Sequence, residues 1–163
     1  MRKDSVPIRE YHPDDCQQVV TLFQDLPELF TQRSVENIRK DLYDLESGDF
    51  RNVARCLIFH RGKKVLGALI YRQDYTGNKV FELKWLATRK ESFNKGIGYY
   101  LMRRAEELLK DKARLIVFYT SSTPIWARTK NFFRKLGYKE VAVVPDFWDD
   151  GDDRTIFWKR VKP

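Results

Sequence analysis

The chain has 163 residues, 42% of them hydrophobic and 14% aromatic, with a formal net charge of +8. This composition excludes a disordered chain and predicts a single domain over residues 1–163 with one sizeable core. The apolar run "VLGALIY" is about a third of the length that a membrane helix needs. The segment "MRKDSVPIRE" has charges but no apolar stretch behind them, so we expect no secretory signal.

Charge and cysteine content restrict the partners that we expect. The positive charge favours an anionic ligand, such as nucleic acid, a membrane surface or a phosphate-bearing cofactor. The sequence has no block of five or more like charges, no aromatic-basic RNA-binding stretch and no zinc pattern. We therefore expect neither nucleic acid, nor a membrane, nor a metal as partner. Cys16 and Cys56 are isolated, which is typical of reduced thiols in a cytoplasmic protein.

The first half of the chain predicts a strand, two helices and three more strands. "VPIREY" alternates weakly, as a strand does, and "DDCQQVVTLFQDL" has apolar residues at helical spacing that stop before Pro27. "SVENIRKDLYDLESG" predicts a second helix, capped by Ser34 and ended by Gly48. The period then changes to two. "NVARCLIFHRGKKVLGALIYRQD" predicts a hairpin turned at "RGKK", and "KVFELKWLAT" predicts a further strand.

The second half predicts helices between strands. An amphipathic helix begins near Gly98, with Leu101 and Ala105 on its apolar side. "RLIVFYTSS" is a continuous apolar run, which predicts a central strand buried on both faces. "WARTKNFFRKLG" predicts a short helix closed by Gly137. "YKEVAVV" and "RTIFWKRV" predict final strands, separated by the acidic loop "PDFWDDGDD". Together these elements predict an α/β (α+β) fold with a mixed sheet and helices on both faces.

Two glycines, Gly96 and Gly98, stand where a strand turns into a helix. Unpaired backbone N–H groups and the helix dipole make such a point an anion-binding site, and missing side chains let a phosphate approach. Lys95 adds a positive charge. A Walker loop is excluded because no Gly-Lys-Ser/Thr follows, and the third glycine of a dinucleotide fingerprint is replaced by Leu101. A plain helix N-terminus is the alternative.

The surrounding sequence resembles the central motif of the GNAT superfamily of N-acetyltransferases. "ELKWLATRKESFNKGIGYYLM" has the family's strand, loop and glycine pair in register, and "NFFRKLGY" is similar to its next helix end. The resemblance implies a mostly antiparallel sheet of about seven strands. It also implies transfer of an acetyl group from acetyl-CoA, the acyl donor, to a primary amine by direct attack.

The resemblance also implies which residues contact the acetyl-CoA. The loop before the helix would bind the pyrophosphate, mainly through main-chain N–H groups, and these residues are Asn94, Lys95, Gly96, Ile97, Gly98 and Tyr99. The end of the preceding strand would pair with the pantetheine arm like an added strand, through Leu86, Ala87 and Thr88. The sequence departs from the family's pattern at two positions: Phe93 replaces a Gln or Arg, and Phe133 replaces a tyrosine that often serves as general acid. Tyr119, Tyr138 or water is left as the general acid.

Glu82 is the candidate general base, because it occupies the position where histone-type members of the family carry theirs. An ordinary half-exposed strand is the alternative, since Glu82 and Lys84 alternate with apolar residues. The acidic residues of Asp146–Asp153 are a second candidate feature, because they would attract a cationic amine at the acceptor entrance. A turn built from Asp and Gly is the competing interpretation, and the spacing lacks the glutamate of an EF-hand calcium loop.

Other candidate residues and functions are weaker. His12 and His60 are interpreted as surface residues at strand ends, and Trp126 and Trp148 either line an acceptor pocket or pack in the core. A non-catalytic acyl-CoA-binding regulatory module is the alternative function. The identity of the amine acceptor stays open at this point, as does a homodimer formed through sheet edges.

Overall fold

The computed structural model describes residues 6–48 and 54–161. These residues form seven strands and four α-helices. The strands are β1 (Ile8–Glu10), β2 (Ala54–Arg61), β3 (Lys64–Asp74), β4 (Val80–Thr88), β5 (Leu115–Ser121), β6 (Lys139–Asp149) and β7 (Asp152–Arg160). The helices are α1 (Cys16–Gln24), α2 (Gln32–Ser47), α3 (Ile97–Leu109) and α4 (Ala127–Lys135). Residues Asn52 and Val53 of the predicted hairpin, and the first five residues of the chain, lie outside the described residues.

All seven strands belong to one sheet, in the order β1-β2-β3-β4-β5-β7-β6. Only the β4–β5 pair is parallel among the described strands, and the other five pairs are antiparallel. Helices α1 and α2 cover one face over β2, β3 and β4, which we call the α2 face. Helices α3 and α4 cover the opposite face, the α3 face. The predicted fold class, a mixed and mostly antiparallel sheet with helices on both faces, is confirmed.

Two element ends differ from the prediction for local reasons. Helix α2 begins earlier than expected, because the Thr31 hydroxyl accepts the Ser34 N–H at 3.2 Å and is therefore the N-cap. The acidic segment is not a loop. Most of it extends β6 and β7, and only Asp150 and Gly151 form the turn between them. Gly48 ends α2 in the left-handed region at φ 67°, as predicted.

Strand β5 was expected to be buried on both faces, and this expectation is wrong. Ile116, Phe118 and Thr120 are buried on the α3 face, whereas Val117 and Tyr119 on the opposite face are only half-buried. The reason is that the hydrophobic core beneath α1 and α2 contains residues of β2, β3 and β4 but none of β5. The α2 face of β5 is therefore not covered by a helix, and we call the surface above Val117 and Tyr119 the groove.

Candidate active site

A gap opens in the middle of the sheet between the two parallel strands. Residues Val80 to Leu83 of β4 pair with β5, and the pairing stops at Leu83 opposite Phe118. Beyond this point β4 continues along β3 and β5 continues along β7. The β3–β4 register shifts between Ile70 and Tyr71, which leaves Lys84 as an extra residue in β4. Such a bulge bends a strand and increases its twist, so β4 turns away from β5.

The predicted pantetheine-binding residues lie on β4 beyond this divergence. Leu86 packs against the α3-face core, and Ala87 is buried on the α2 face. Thr88, at the end of the strand, pairs with Gly67 of β3. No strand among the described residues pairs with this part of β4 on the β5 side. An extended ligand in the gap therefore finds strand backbone with unused hydrogen-bonding groups.

The start of α3 lies beside this gap and presents free amides. Gly96 is the N-cap at φ 76°, and no side chain caps the helix. The first amide to be used is that of Tyr100, which donates to the Gly96 carbonyl at 3.0 Å. The N–H groups of Ile97, Gly98 and Tyr99 have no acceptor among the described residues. These unpaired donors, together with the helix dipole, form an anion-binding site.

The two glycines of the motif serve different purposes. Gly96 and the preceding Asn94 both have positive φ, 76° and 62°, so the loop turns through two left-handed residues. Gly98 lies inside α3 with ordinary helical backbone, and a Cβ there would point between Phe132 and Leu86, at 3.5 and 3.9 Å. Backbone conformation therefore explains Gly96. Nothing in the protein itself requires glycine at position 98, so we attribute that glycine to space for a ligand.

The other loop residues contribute unequally. The Ile97 side chain is 4% exposed and anchors the helix on the sheet. A Cβ on Gly67 would lie 2.7 Å from this side chain, so β3 needs a glycine there. Lys95 already donates its Nζ to the Glu91 carbonyl at 2.7 Å, and its amide reaches the Ser92 carbonyl at 3.4 Å. Lys95 is thus less available to a ligand than the three amides that follow.

Sequence reasoning missed a cation at this site. Arg128 on α4 donates to the Asn94 side chain, and its guanidinium lies 5.8 Å from the centre of the Phe93 ring. The resemblance implies Gln or Arg at the position of Phe93, and Arg128 brings a guanidinium next to that ring. The two residues are 34 positions apart, and no local pattern in the sequence connects them.

Glu82 lies on the α2 face of β4, in the last part of the strand that pairs with β5. Its side chain is only 12% exposed. Arg72 on β3 donates its Nε to Glu82 Oε2 at 2.8 Å, and its Nη2 lies 2.8 Å from the same oxygen. No described residue donates a hydrogen bond to the other oxygen, Oε1. Glu82 is therefore a positioned carboxylate with one oxygen available, and its partner Arg72 was not identified from the sequence.

A second buried ion pair supports the bulge beside Glu82. Asp41 on α2 accepts hydrogen bonds from Lys84 Nζ and Trp85 Nε1, both at 2.6 Å. The Asp41 and Lys84 side chains are 7% and 15% exposed. Because consecutive residues of β4 reach the same carboxylate, this contact requires the extra residue of the bulge. Helix α2 thus helps to hold the gap open.

The predicted acidic feature lies at the tip of the β6–β7 hairpin. Its carboxylates are partly used in the turn: Asp153 accepts the Asp146 amide at 3.0 Å, and Asp146 accepts the Gly151 amide at 2.7 Å. Phe147 and Trp148 are about half exposed on the same tip. The tip lies beyond the end of β5 and the start of β7, where Ser121 pairs with Arg154.

The candidates for general acid are placed in different surroundings. Phe133 is 5% exposed and stacks on Phe118, with ring centres 3.8 Å apart. Tyr138 is 2% exposed in the same aromatic cluster, and burial raises the pKa of its hydroxyl. Tyr119 lies on the open α2 face of β5. Tyr119 is thus the tyrosine of these two that faces the groove.

The remaining predicted residues have structural partners. His12 caps a short turn by accepting the Asp14 amide, and His60 Nδ1 lies 3.0 Å from the Gly62 carbonyl. Trp126 packs against the α2-face core, with its ring centre 5.8 Å from that of Phe30. Across residues 6–48 and 54–161, no group of three His, Cys, Asp or Glu side chains is arranged to hold a metal ion. Among the same residues no helix has the length and apolarity to cross a bilayer.

The fold and the site together suit an extended, phosphate-bearing ligand held between two diverging strands. A sequence profile of the acetyltransferase (GNAT) domain matches residues 52–140. This match covers more than half of the chain, so the chain belongs to the GNAT acetyltransferase family.

Individual relatives agree with this assignment. The chain is 30% identical over 113 residues to an uncharacterised N-acetyltransferase of Chlorobaculum tepidum; the match covers 69% of this chain and 61% of that protein, less than two thirds of its length. A crystal structure from Desulfovibrio desulfuricans assigned to the GNAT family superposes with a TM-score of 0.90 at 20% identity, covering 97% of this chain and 100% of that one. An aminoglycoside 6'-N-acetyltransferase complexed with coenzyme A gives a TM-score of 0.74 at 19% identity, with 96% and 97% covered. At such identities the structures support the fold alone.

Proposed function

We propose that this chain is an N-acetyltransferase that moves an acetyl group from acetyl-CoA to a primary amine by direct attack. The observation that carries the proposal is the position of three features around one gap. Free amides at the start of α3 lie at one end of the gap, and unpaired strand backbone of β4 borders it. Glu82 lies at its apex, where β4 and β5 separate. The family membership supports acetyl-CoA as the donor.

The donor side uses mainly backbone. The amides of Ile97, Gly98 and Tyr99 would bind the diphosphate, and Arg128 would add charge from α4. Leu86, Ala87 and Thr88 would pair with the pantetheine arm in the way that β5 pairs with the first part of β4. This arrangement points the thioester toward the apex of the gap. A strand N–H there would stabilise the developing negative charge on the carbonyl oxygen.

The acceptor side needs a base, because only the neutral amine attacks. An amine with a pKa near 10.4 is neutral to roughly one part in two thousand at pH 7. Glu82 Oε1 would accept the amine proton, directly or through one water, while Arg72 fixes the carboxylate through the other oxygen. Neither cysteine serves as a nucleophile in this proposal. Cys56 is 3% exposed, and Cys16 lies at the start of α1.

The test measures release of the CoA thiol from acetyl-CoA with a panel of primary amines. Glu82→Gln should lower kcat/KM by about 100-fold to 10,000-fold, the usual contribution of a general base. Its affinity for CoA should stay within twofold of wild type. Glu107→Gln is the matched control, because Glu107 also pairs with an arginine, Arg104 at 2.7 Å, but on the exposed side of α3. Thiol release at background level with every amine, despite CoA binding, would refute the enzymatic function.

That negative outcome would support the second candidate, a non-catalytic acyl-CoA-binding module. Two observations favour it. The family's tyrosine position is a buried phenylalanine, Phe133, and the candidate base Glu82 is engaged by Arg72. For a binding module we expect Glu82→Gln to leave CoA binding unchanged, whereas Gly96→Glu abolishes it.

A further inference from the structure

Strand β7 carries three buried polar atoms without a partner on the α2 face of the sheet. They are Asp152 Oδ1, Arg154 Nε and Trp158 Nε1, and none has a hydrogen-bond partner among the described residues. The three residues alternate along the strand and therefore point to one face. Leaving a buried polar group without a partner destabilises a protein. Such a row is expected where a ligand supplies the missing partners.

Arg154 is held in a fixed position by aromatic rings. Its guanidinium carbon lies 3.5 Å from the centre of the Tyr119 ring and 4.5 Å from that of Phe147. Trp148 is further away, at 5.8 Å. Stacking on ring faces occupies the flat sides of a guanidinium and leaves its N–H edge free. A planar carboxylate is the group that this edge binds best.

Two other cations on this face, Arg72 and Lys84, already have carboxylates as partners. Glu82 pairs with Arg72, and Lys84 pairs with Asp41. No carboxylate among the described residues lies within 4.0 Å of the Arg154 guanidinium. Arg154 is thus a fixed cation without a carboxylate partner in the protein, and a ligand would supply that partner.

The sheet register gives an approximate backbone separation between Glu82 and Tyr119, the residue under the Arg154 guanidinium. Glu82 pairs with Val117, and Tyr119, which lies under the guanidinium, is two residues further along β5. Two residues along a strand and one strand across correspond to about 7 Å and about 5 Å, or about 8 Å in all. An amine and a carboxylate separated by one or two carbon atoms, with a hydrogen bond of about 3 Å at each end, span this distance.

We propose that Arg154, with Trp158 as a second donor, binds the carboxylate of the acceptor, so that the acceptor is a small amino carboxylate. The proposal rests on the acetyl transfer proposed above and adds the chemical class of its substrate. The acidic hairpin tip favours a ligand that carries a positive charge in addition to its carboxylate. Asp146, Asp149 and Asp150 are exposed at the tip of the hairpin that carries Arg154. They repel a purely anionic ligand and attract the ammonium group of a zwitterion.

The test compares L-amino acids with their own carboxamides, which keep the amine and side chain but lose the negative charge. Thiol release from acetyl-CoA gives kcat and KM, and calorimetry of the protein saturated with CoA gives binding without turnover. The preferred amino acid should have a kcat/KM at least tenfold above that of its amide. Arg154→Met should raise KM for the amino acid about 10-fold to 100-fold, leave kcat within twofold, and abolish the difference between acid and amide.

Two further variants separate binding from stability. Arg154→Lys keeps the charge but loses the planar edge, so its KM should lie between those of wild type and Arg154→Met. Arg134→Met is the control, because Arg134 also lies near a ring of β7, that of Phe157 at 5.6 Å, but on the α3 face of the sheet. The control should leave both constants within twofold. Urea unfolding of each variant identifies any loss of KM that comes from a destabilised hairpin.

The outcomes distinguish this inference from the proposed function. Efficient acetylation of amides or of amines without any anion, unaffected by Arg154→Met, overturns the inference and keeps the function. Binding of an amino acid that depends on Arg154, without thiol release from any amine, overturns the function and keeps the inference. An aminoalkyl phosphonate that outcompetes the amino acid would also overturn the choice of a carboxylate.

Discussion

The substitution Gly98→Ala separates the two purposes of the glycine pair most sharply. The new methyl group would lie 3.5 Å from Phe132 and 3.9 Å from Leu86, both ordinary van der Waals distances. Position 98 has helical backbone, so alanine there should stabilise the free protein by up to about 0.5–1 kcal/mol. The same methyl group enters the space beside Leu86 where we place the CoA chain. Stability and ligand affinity should therefore change in opposite directions.

The ligand effect can be measured as stability. A ligand at 100 times its Kd stabilises a protein by about 2.7 kcal/mol. If the methyl group weakens CoA binding tenfold or more, Gly98→Ala loses about 1.4 kcal/mol or more of that stabilisation at the same CoA concentration. Urea unfolding with and without CoA gives both values, and calorimetry gives Kd directly. An unchanged Kd in Gly98→Ala would refute the placement of the CoA chain between α3 and β4.

Gly96→Ala is the matched comparison. Residue 96 has φ 76°, so alanine there should destabilise the free protein by about 1 kcal/mol. Its Cβ would contact the Tyr100 ring at 3.4 Å rather than Leu86. The folded variant should then bind CoA within a few-fold of wild type. Similar losses of affinity in both variants would contradict the distinction between the two glycines.

Two further predictions concern buried carboxylates. Asp41→Asn should destabilise the protein by about 3 kcal/mol in urea unfolding, because Lys84 then lacks its partner, whereas Glu36→Gln on the exposed side of α2 should change stability by less than about 0.5 kcal/mol. Asp15 accepts hydrogen bonds from Arg9, which hold the pKa of its carboxyl below the ordinary value. The stabilisation is therefore present above about pH 4 and is lost as pH falls through the lowered pKa. Asp15→Asn should be less stable than wild type at pH 7, and equal destabilisation at pH 7 and pH 3 would contradict this reasoning.

Much of the fold follows from local sequence periodicity. The hairpin turned at "RGKK" and the end of α2 at Gly48 were predicted because turn and cap residues act over a few positions. The burial of β5 was predicted wrongly because an apolar run does not reveal how far the helices extend over the sheet. The acidic segment was predicted as a loop for a related reason: Asp residues disfavour strands, but pairing between β6 and β7 overrides this preference.

Part of the candidate site was predictable from the local sequence, and part was not. The amides before Tyr99 were predictable because a strand, a glycine pair and a helix follow one another in the chain. The roles of Arg72 and Arg154 were not, because each contacts a residue on a neighbouring strand, Glu82 and Tyr119 respectively, and cross-strand register is not given by local periodicity. Arg154 is adjacent to Asp153 in sequence, which suggests an ion pair within the hairpin, yet alternation along β7 sends the two side chains to opposite faces.

The donor and acceptor halves of the site therefore have different physical origins. The donor half depends on backbone amides and on a bend in β4, and many side chains are compatible with both. The acceptor half depends on side chains from β3, β4, β5 and β7 that meet on the α2 face, beside the part of it that α1 and α2 leave uncovered. A change at Arg154 alters that face without disturbing the gap, because β7 pairs with β5 and not with β4. We therefore expect substitutions on β7 to change which amine is used, and substitutions at the start of α3 to change whether any amine is acetylated.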